Sequence, residues 1–86
     1  MRWQAVPPDA LTLRELDGEL AVRNALTGST HLLEAPAAGV LAALIDAETG
    51  LTVPELTART RDALAPADME ELLAEFQRLG LAEPAG

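Results

Sequence analysis

The sequence predicts an α+β domain in which three antiparallel strands precede three helices. Two changes in pattern and a set of boundary signals carry that expectation. Residues 11–34 alternate apolar and polar side chains as strands do, whereas residues 36–79 space their apolar side chains by three and four, as helices do. Asp17-Gly18 falls between two alternating runs, where a primed hairpin turn needs residues that accept positive φ. Pro36, the box Thr52-Val53-Pro54-Glu55 and Pro66 mark three helix starts.

Residues 1–10 read as a lead-in arm, because Pro7-Pro8 does not fit a central strand. Within it Trp3 has two readings, an anchor that packs the arm on the core and, less favoured, a contact for a partner. Leu11–Leu16 is the first strand. Glu19–Asn24 is the second, with Leu20 and Val22 on one face and Glu19, Ala21 and Arg23 on the other. Thr27-Gly28 marks a second turn, and Ser29–Glu34 the third strand. Connections this short make an antiparallel meander.

The first helix runs from Pro36 to about Ala47 and buries Ala37, Val40, Leu41, Leu44 and Ile45, with Gly50 ending the segment. Ala35 before it is a poor cap compared with Ser or Asn. In the second, over about Val53 to Leu64, the Thr52 hydroxyl caps the Glu55 N–H and Glu55 reaches back; Leu56, Thr60 and Ala63 face inward. Pro66 opens the third. Asp68, Glu70 and Glu71 complement its dipole, and Met69, Leu72, Leu73, Phe76 and Leu79 form its apolar stripe. Gly80-Leu81 reads as a Schellman end, with Leu81 folding back on the stripe. Residues 82–86 are expected to be a fraying tail. The outcome is one winged-helix-like domain over residues 1–86, a helical layer on a small sheet.

Composition narrows the function. A chain of 86 residues buries only about 60% of its unfolded surface, so its stability margin is thin. Its aromatic residues are Trp3 and Phe76, which leaves an aliphatic core. There is no cysteine, so disulfides and thiolate metal sites are excluded. Met1-Arg2-Trp3-Gln4 opens no apolar signal segment, and no window approaches the ~18 apolar residues of a membrane span, so a soluble, cytoplasmic chain is expected. Fourteen acidic against six basic residues give a net charge of −8, the reverse of a nucleic-acid binder.

Little catalytic chemistry is visible. With one histidine and no cysteine, neither a Cys-His pair nor a multi-histidine metal site can form in one chain. Ser29 and His31 share a strand face and could touch. A surface pair without an orienting acid is favoured over a nucleophile and its base. The isolated glycines build no phosphate loop, and the spacing of Asp68, Glu70 and Glu71 matches no calcium loop. No catalytic residue, metal or cofactor is assigned.

The third strand is the remaining feature. It closes the meander as an edge, where unpaired N–H and C=O groups must be blunted or used. Ser29–Glu34 bears one charge, at its end, and neither proline nor lysine, while carrying apolar Leu32 and Leu33. From the residues alone, two readings weigh equally: the arm around Trp3 covers this edge, or a peptide adds to it as a further strand.

A family resemblance breaks the tie. Gly28-Ser29-Thr30-His31-Leu32-Leu33 before the first helix resembles the PqqD-like proteins, the recognition elements of ribosomally made and modified peptides, and within them the branch found beside HPr-kinase-related proteins. Leu16-Asp17-Gly18-Glu19, Ala37-Ala38 with Val40-Leu41 and Leu44, Glu55-Leu56 and Leu79-Gly80-Leu81 extend the likeness from Trp3 through Leu81. The resemblance implies a non-enzymatic chaperone that binds the leader of a precursor peptide and presents it to a modifying enzyme, a radical SAM protein in the founding case or an HPr-kinase-related protein. It places the leader along Ser29, Thr30, His31, Leu32, Leu33 and Glu34, with Leu73 and Gln77 on the helix side. The competing reading is a winged-helix DNA-binding regulator. A third, a small enzyme subunit or carrier, lacks an attachment serine motif.

Charge decides against DNA. The helix that would enter a groove, Ala67–Leu79, holds Asp68, Glu70, Glu71 and Glu75 against Arg78. A gel-shift titration with mixed-sequence duplex should show no salt-sensitive binding, and elemental analysis no stoichiometric metal.

Overall fold

A computed structural model describes residues 1–6, 8–47, 49–60 and 64–85. Its strands are β1 (Trp3–Ala5), β2 (Leu11–Leu16), β3 (Glu19–Asn24), β4 (Ser29–Leu33) and β5 (Ala82–Pro84). Its helices are α1 (Ala37–Asp46), α2 (Val53–Arg59) and α3 (Pro66–Leu79), with one 3₁₀ turn over Pro8–Ala10. The expected β-β-β-α-α-α order is present, as an antiparallel sheet β2-β3-β4 followed by three helices. Asp17 and Gly18 take φ of 46° and 84°, the positive pair of a primed turn, so Leu16 and Glu19 face each other directly.

The helices cover one face of the sheet. Leu20, Val22 and Leu33 from the strands meet Val40, Leu41 and Leu44 of α1, Leu56 of α2 and Met69, Leu73 and Phe76 of α3 in one core. Apart from Phe76 and Trp3 that core is aliphatic, so alternation and helical spacing both report its inward faces. β2 overhangs it, with Leu13 and Leu16 exposed. The helix ends follow their signals. Thr52 and Glu55 form the complete capping box, and Pro66 is the first residue of α3. Gly80, at φ 76°, lets the Leu81 N–H reach the Phe76 carbonyl (2.8 Å) and returns Leu81 fully buried to the core.

Several expectations need correction. Pro36 takes the cap position of α1 rather than its first turn, and no side chain caps that end. α2 stops at Arg59 with Thr60 as its half-buried C-cap, shorter than expected; Ala63 lies outside the described residues. The arm and the tail are the larger difference. Trp3 pairs with Pro84, Gln4 with Glu83 and Ala5 with Ala82 in a second, two-stranded sheet, where a fraying tail was expected. The Ala85 N–H extends the pairing to the Arg2 carbonyl at 2.7 Å. Gly86 lies outside the described residues. Burial of Trp3, Ala5 and Ala82 drives this, since a frayed arm would expose all three. The indole is therefore an anchor.

The other side of β1 is also taken. The Trp3 N–H donates to the Leu51 carbonyl (2.7 Å) and the Leu51 N–H to the Trp3 carbonyl (2.8 Å). Gly50 permits that approach, because a Cβ there would lie 3.0 Å from Arg2 Cβ and 3.1 Å from Ala85 Cβ. Arg2 then links the strand to α2, its Nη1 donating to the Gly50 carbonyl (2.7 Å) and to Glu55 Oε1 (3.0 Å). None of the described helices is long and apolar enough to cross a membrane.

Glu55 makes this corner pH-sensitive. The backbone N–H of Thr52 holds its carboxyl below the ordinary carboxylate value, assisted by the Thr52 hydroxyl and then by Arg2 and Arg59, against a desolvation effect that raises it. A depressed acid contributes stability above its unfolded pKa and loses it as pH falls through the lower folded value. Thermal melts of the wild type and Glu55→Gln should therefore differ most near neutrality and converge only once pH has fallen below the depressed Glu55 value.

Candidate functional site

The strand at the candidate site is positioned by its hydrogen-bond phase. The closing bond of the Asp17-Gly18 turn makes Leu16 and Glu19 a bonded pair, and bonded and non-bonded pairs alternate from there. The residues of β3 that bond to β4 are then Leu20, Val22 and Asn24, opposite Leu33, His31 and Ser29. Thr30, opposite Arg23, and Leu32, opposite Ala21, turn their N–H and C=O groups away from the sheet. Among the described residues no backbone group pairs with that outer edge. The arm around Trp3 does not cover it, being held between β5 and Leu51.

Both ends of the open edge are defined. Beyond Leu33 the Glu34 carbonyl accepts the Ala38 N–H at 3.0 Å and so belongs to the start of α1. Before Ser29 the chain turns through Ala25–Gly28, where the Gly28 N–H bonds the Asn24 carbonyl at 2.7 Å. Gly28 takes φ 75°. Asn24 secures this turn to the helical layer. It is 2% exposed, accepts the Leu26 N–H at Oδ1 (2.8 Å) and donates from Nδ2 to the Gly80 carbonyl (2.8 Å). That carbonyl, at the C-terminal cap of α3, would otherwise be orphaned.

The site residues divide by face. Leu33 is buried, and Ser29 and His31 are half-buried beside it; Thr30, Leu32 and Glu34 are exposed, Leu32 by 64%. His31 Nε2 lies 3.1 Å from Ser29 Oγ, and that hydroxyl lies 2.6 Å from Thr27 Oγ1. No carboxylate engages His31 among the described residues, so the row Thr27–Ser29–His31 is a polar tether at the strand's start and lacks an oriented base. Gln77 is exposed on α3, one turn before the Gly80 cap that rests against Asn24 and Thr27. Leu73 is fully buried, so it supports the site from within the core and presents no surface.

The edge is chemically suited to pairing with an extended chain, through two donors and two acceptors aligned at strand spacing. No group of three or more ligating side chains gathers among the described residues. Sequence reasoning left the outward parity open and gave Asn24 no role. The parity was recoverable in part, since the two-residue turn sets the phase of β3; the phase of β4 also needs its register across a four-residue turn.

Against solved structures, the chain is similar to a lasso peptide synthetase B1 complexed with the leader peptide. The TM-score is 0.67 at 15% sequence identity, over 98% of this chain and 100% of that chain. At this identity the likeness shows a shared fold. No protein-family profile matches the sequence, and no curated protein matches it.

Asn24→Ala would leave the Gly80 carbonyl and the Leu26 N–H without partners. It should lower stability by about 1–3 kcal/mol in urea unfolding, the usual cost of a stranded buried polar group.

Proposed function

We propose that this chain is a non-catalytic peptide-binding module. It takes the leader segment of a ribosomally synthesised precursor as an added strand on β4 and presents it to a modifying enzyme. The observation that carries the reading is the uncovered outer edge at Thr30 and Leu32, in a chain whose arm is engaged elsewhere. The solved protein of the same fold holds a leader peptide, which supports the same class of ligand here. Resemblance to the PqqD-like proteins supports a radical SAM or HPr-kinase-related protein as the enzyme served.

In this reading Thr30 and Leu32 supply the ladder bonds. Ser29, His31 and Leu33 form the inner side of the groove, Glu34 its end and Gln77 its helix-side border, with Leu73 fixing α3 beneath. DNA binding is disfavoured by α3, where Asp68, Glu70 and Glu71 are exposed and Arg78 is paired with Glu75.

Proline at an edge position whose N–H faces outward is tolerated by the sheet but cannot donate to an incoming strand. Thr30→Pro and Leu32→Pro should therefore stay folded and lose binding in calorimetric titration with the leader of a precursor encoded beside the chain. Thr30→Ala should retain most of it. Leu33→Ala should instead cost about 2–5 kcal/mol of stability. Undiminished affinity in both folded proline variants would move the site off this strand.

A further inference from the structure

Two arginines, Arg14 and Arg23, lie on the outer face of the sheet, with Glu19 on the same face at the Asp17-Gly18 end. Arg2 is paired with Glu55 and Arg78 with Glu75. Arg14 and Arg23, like Arg59 of α2, make no ion pair among the described residues; Arg14 and Arg23 are the two that lie exposed on this face. Arg23 stands directly across from Thr30, and Arg14 across from Ala21, whose other neighbour is Leu32. Two rows therefore run across the sheet toward the open edge: Thr12, Arg23, Thr30, and Arg14, Ala21, Leu32.

A strand bonded to Thr30 and Leu32 sets the side chains opposite them on this same face. Thr30 is small, so the Arg23 guanidinium can lean over it toward the added strand. With a carboxylate leaning back, the pair spans two inter-strand gaps of about 4.8 Å each. In the second row an aliphatic side chain beside Leu32 would cover a leucine that is 64% exposed.

Resting on the strand-addition reading above, we infer that the β4 edge selects a peptide with a carboxylate opposite Thr30 and an aliphatic residue opposite Leu32. The two stand two residues apart, in the order set by the peptide's direction. This preference opposes the overall charge. A net −8 favours cationic peptides at long range, and screening over about 8 Å at physiological salt confines an acidic preference to a local cation. Enrichment of acidic peptides thus reports Arg23 and not the bulk field.

The test is selection of a displayed random dodecapeptide library on the wild type, Arg23→Glu and Leu32→Pro, each first shown to melt cooperatively. Wild-type pools should enrich Asp or Glu two residues from an aliphatic residue. Arg23→Glu should lose that preference or turn it to Lys and Arg, and Leu32→Pro should enrich nothing. A synthetic enriched peptide with its acid changed to Gln should bind the wild type roughly two- to fivefold more weakly and Arg23→Glu no worse, the scale of an exposed ion pair. Basic enrichment on the wild type, or the same acidic preference on Arg23→Glu, overturns the inference and leaves strand addition standing. Equal enrichment of the same peptides on Leu32→Pro overturns strand addition itself, and the inference with it.

Discussion

The arrangement depends on one buried amide. Asn24 ends β3, and both halves of its side chain are used, one on the turn that launches β4 and the other on the cap of α3. A hydrophobic contact in this place would be non-directional and would allow the turn to slide. Two hydrogen bonds from one buried side chain define both where β4 begins and how the end of α3 meets it. The register that sends the backbone of Thr30 and Leu32 outward starts from this point.

The freedom of the β4 edge also reflects what the termini do. An arm with an indole and alternating apolar residues could have paired with either edge of the three-stranded sheet. Here β1 is enclosed between β5 and Leu51, and the bare backbone of Gly50 lets the chain pass close enough to bond. Trp3 is buried by the same placement. The segment best able to protect the β4 edge is thus committed to the opposite task.

Local signals were legible wherever the physics is local. Asp17-Gly18, the Thr52/Glu55 box, Pro66 and Gly80-Leu81 each specify a boundary through backbone conformation or a short-range bond, and each is found in the structure. The β1–β5 ladder was not legible, because three-residue strands are too short for a period and their pairing joins the two ends of the chain. Thr60 illustrates another limit: helical spacing alone extended α2 past a residue that adopts an extended conformation. At the site the strand was readable as a poorly protected edge. Its outward residues and the Arg23–Thr30 row were not, because both depend on register across β3.

The clasp of the termini has a kinetic meaning. Gln4 and Glu83, bonded side chain to side chain, are 79 residues apart. On loop-closure grounds, joining such distant segments costs roughly 2.5–3 kcal/mol more than closing the four-residue turn before β4. The ladder bonds repay that entropy only after the meander and helices have shortened the path between the ends. The β1–β5 pairing is therefore expected to form late in folding and to open early in unfolding. A contact made late bears on how long the native state lasts more than on how fast it forms. On this account the half-life of the folded chain turns on its seam, while the β4 edge lies among the shorter-range pairings of the meander.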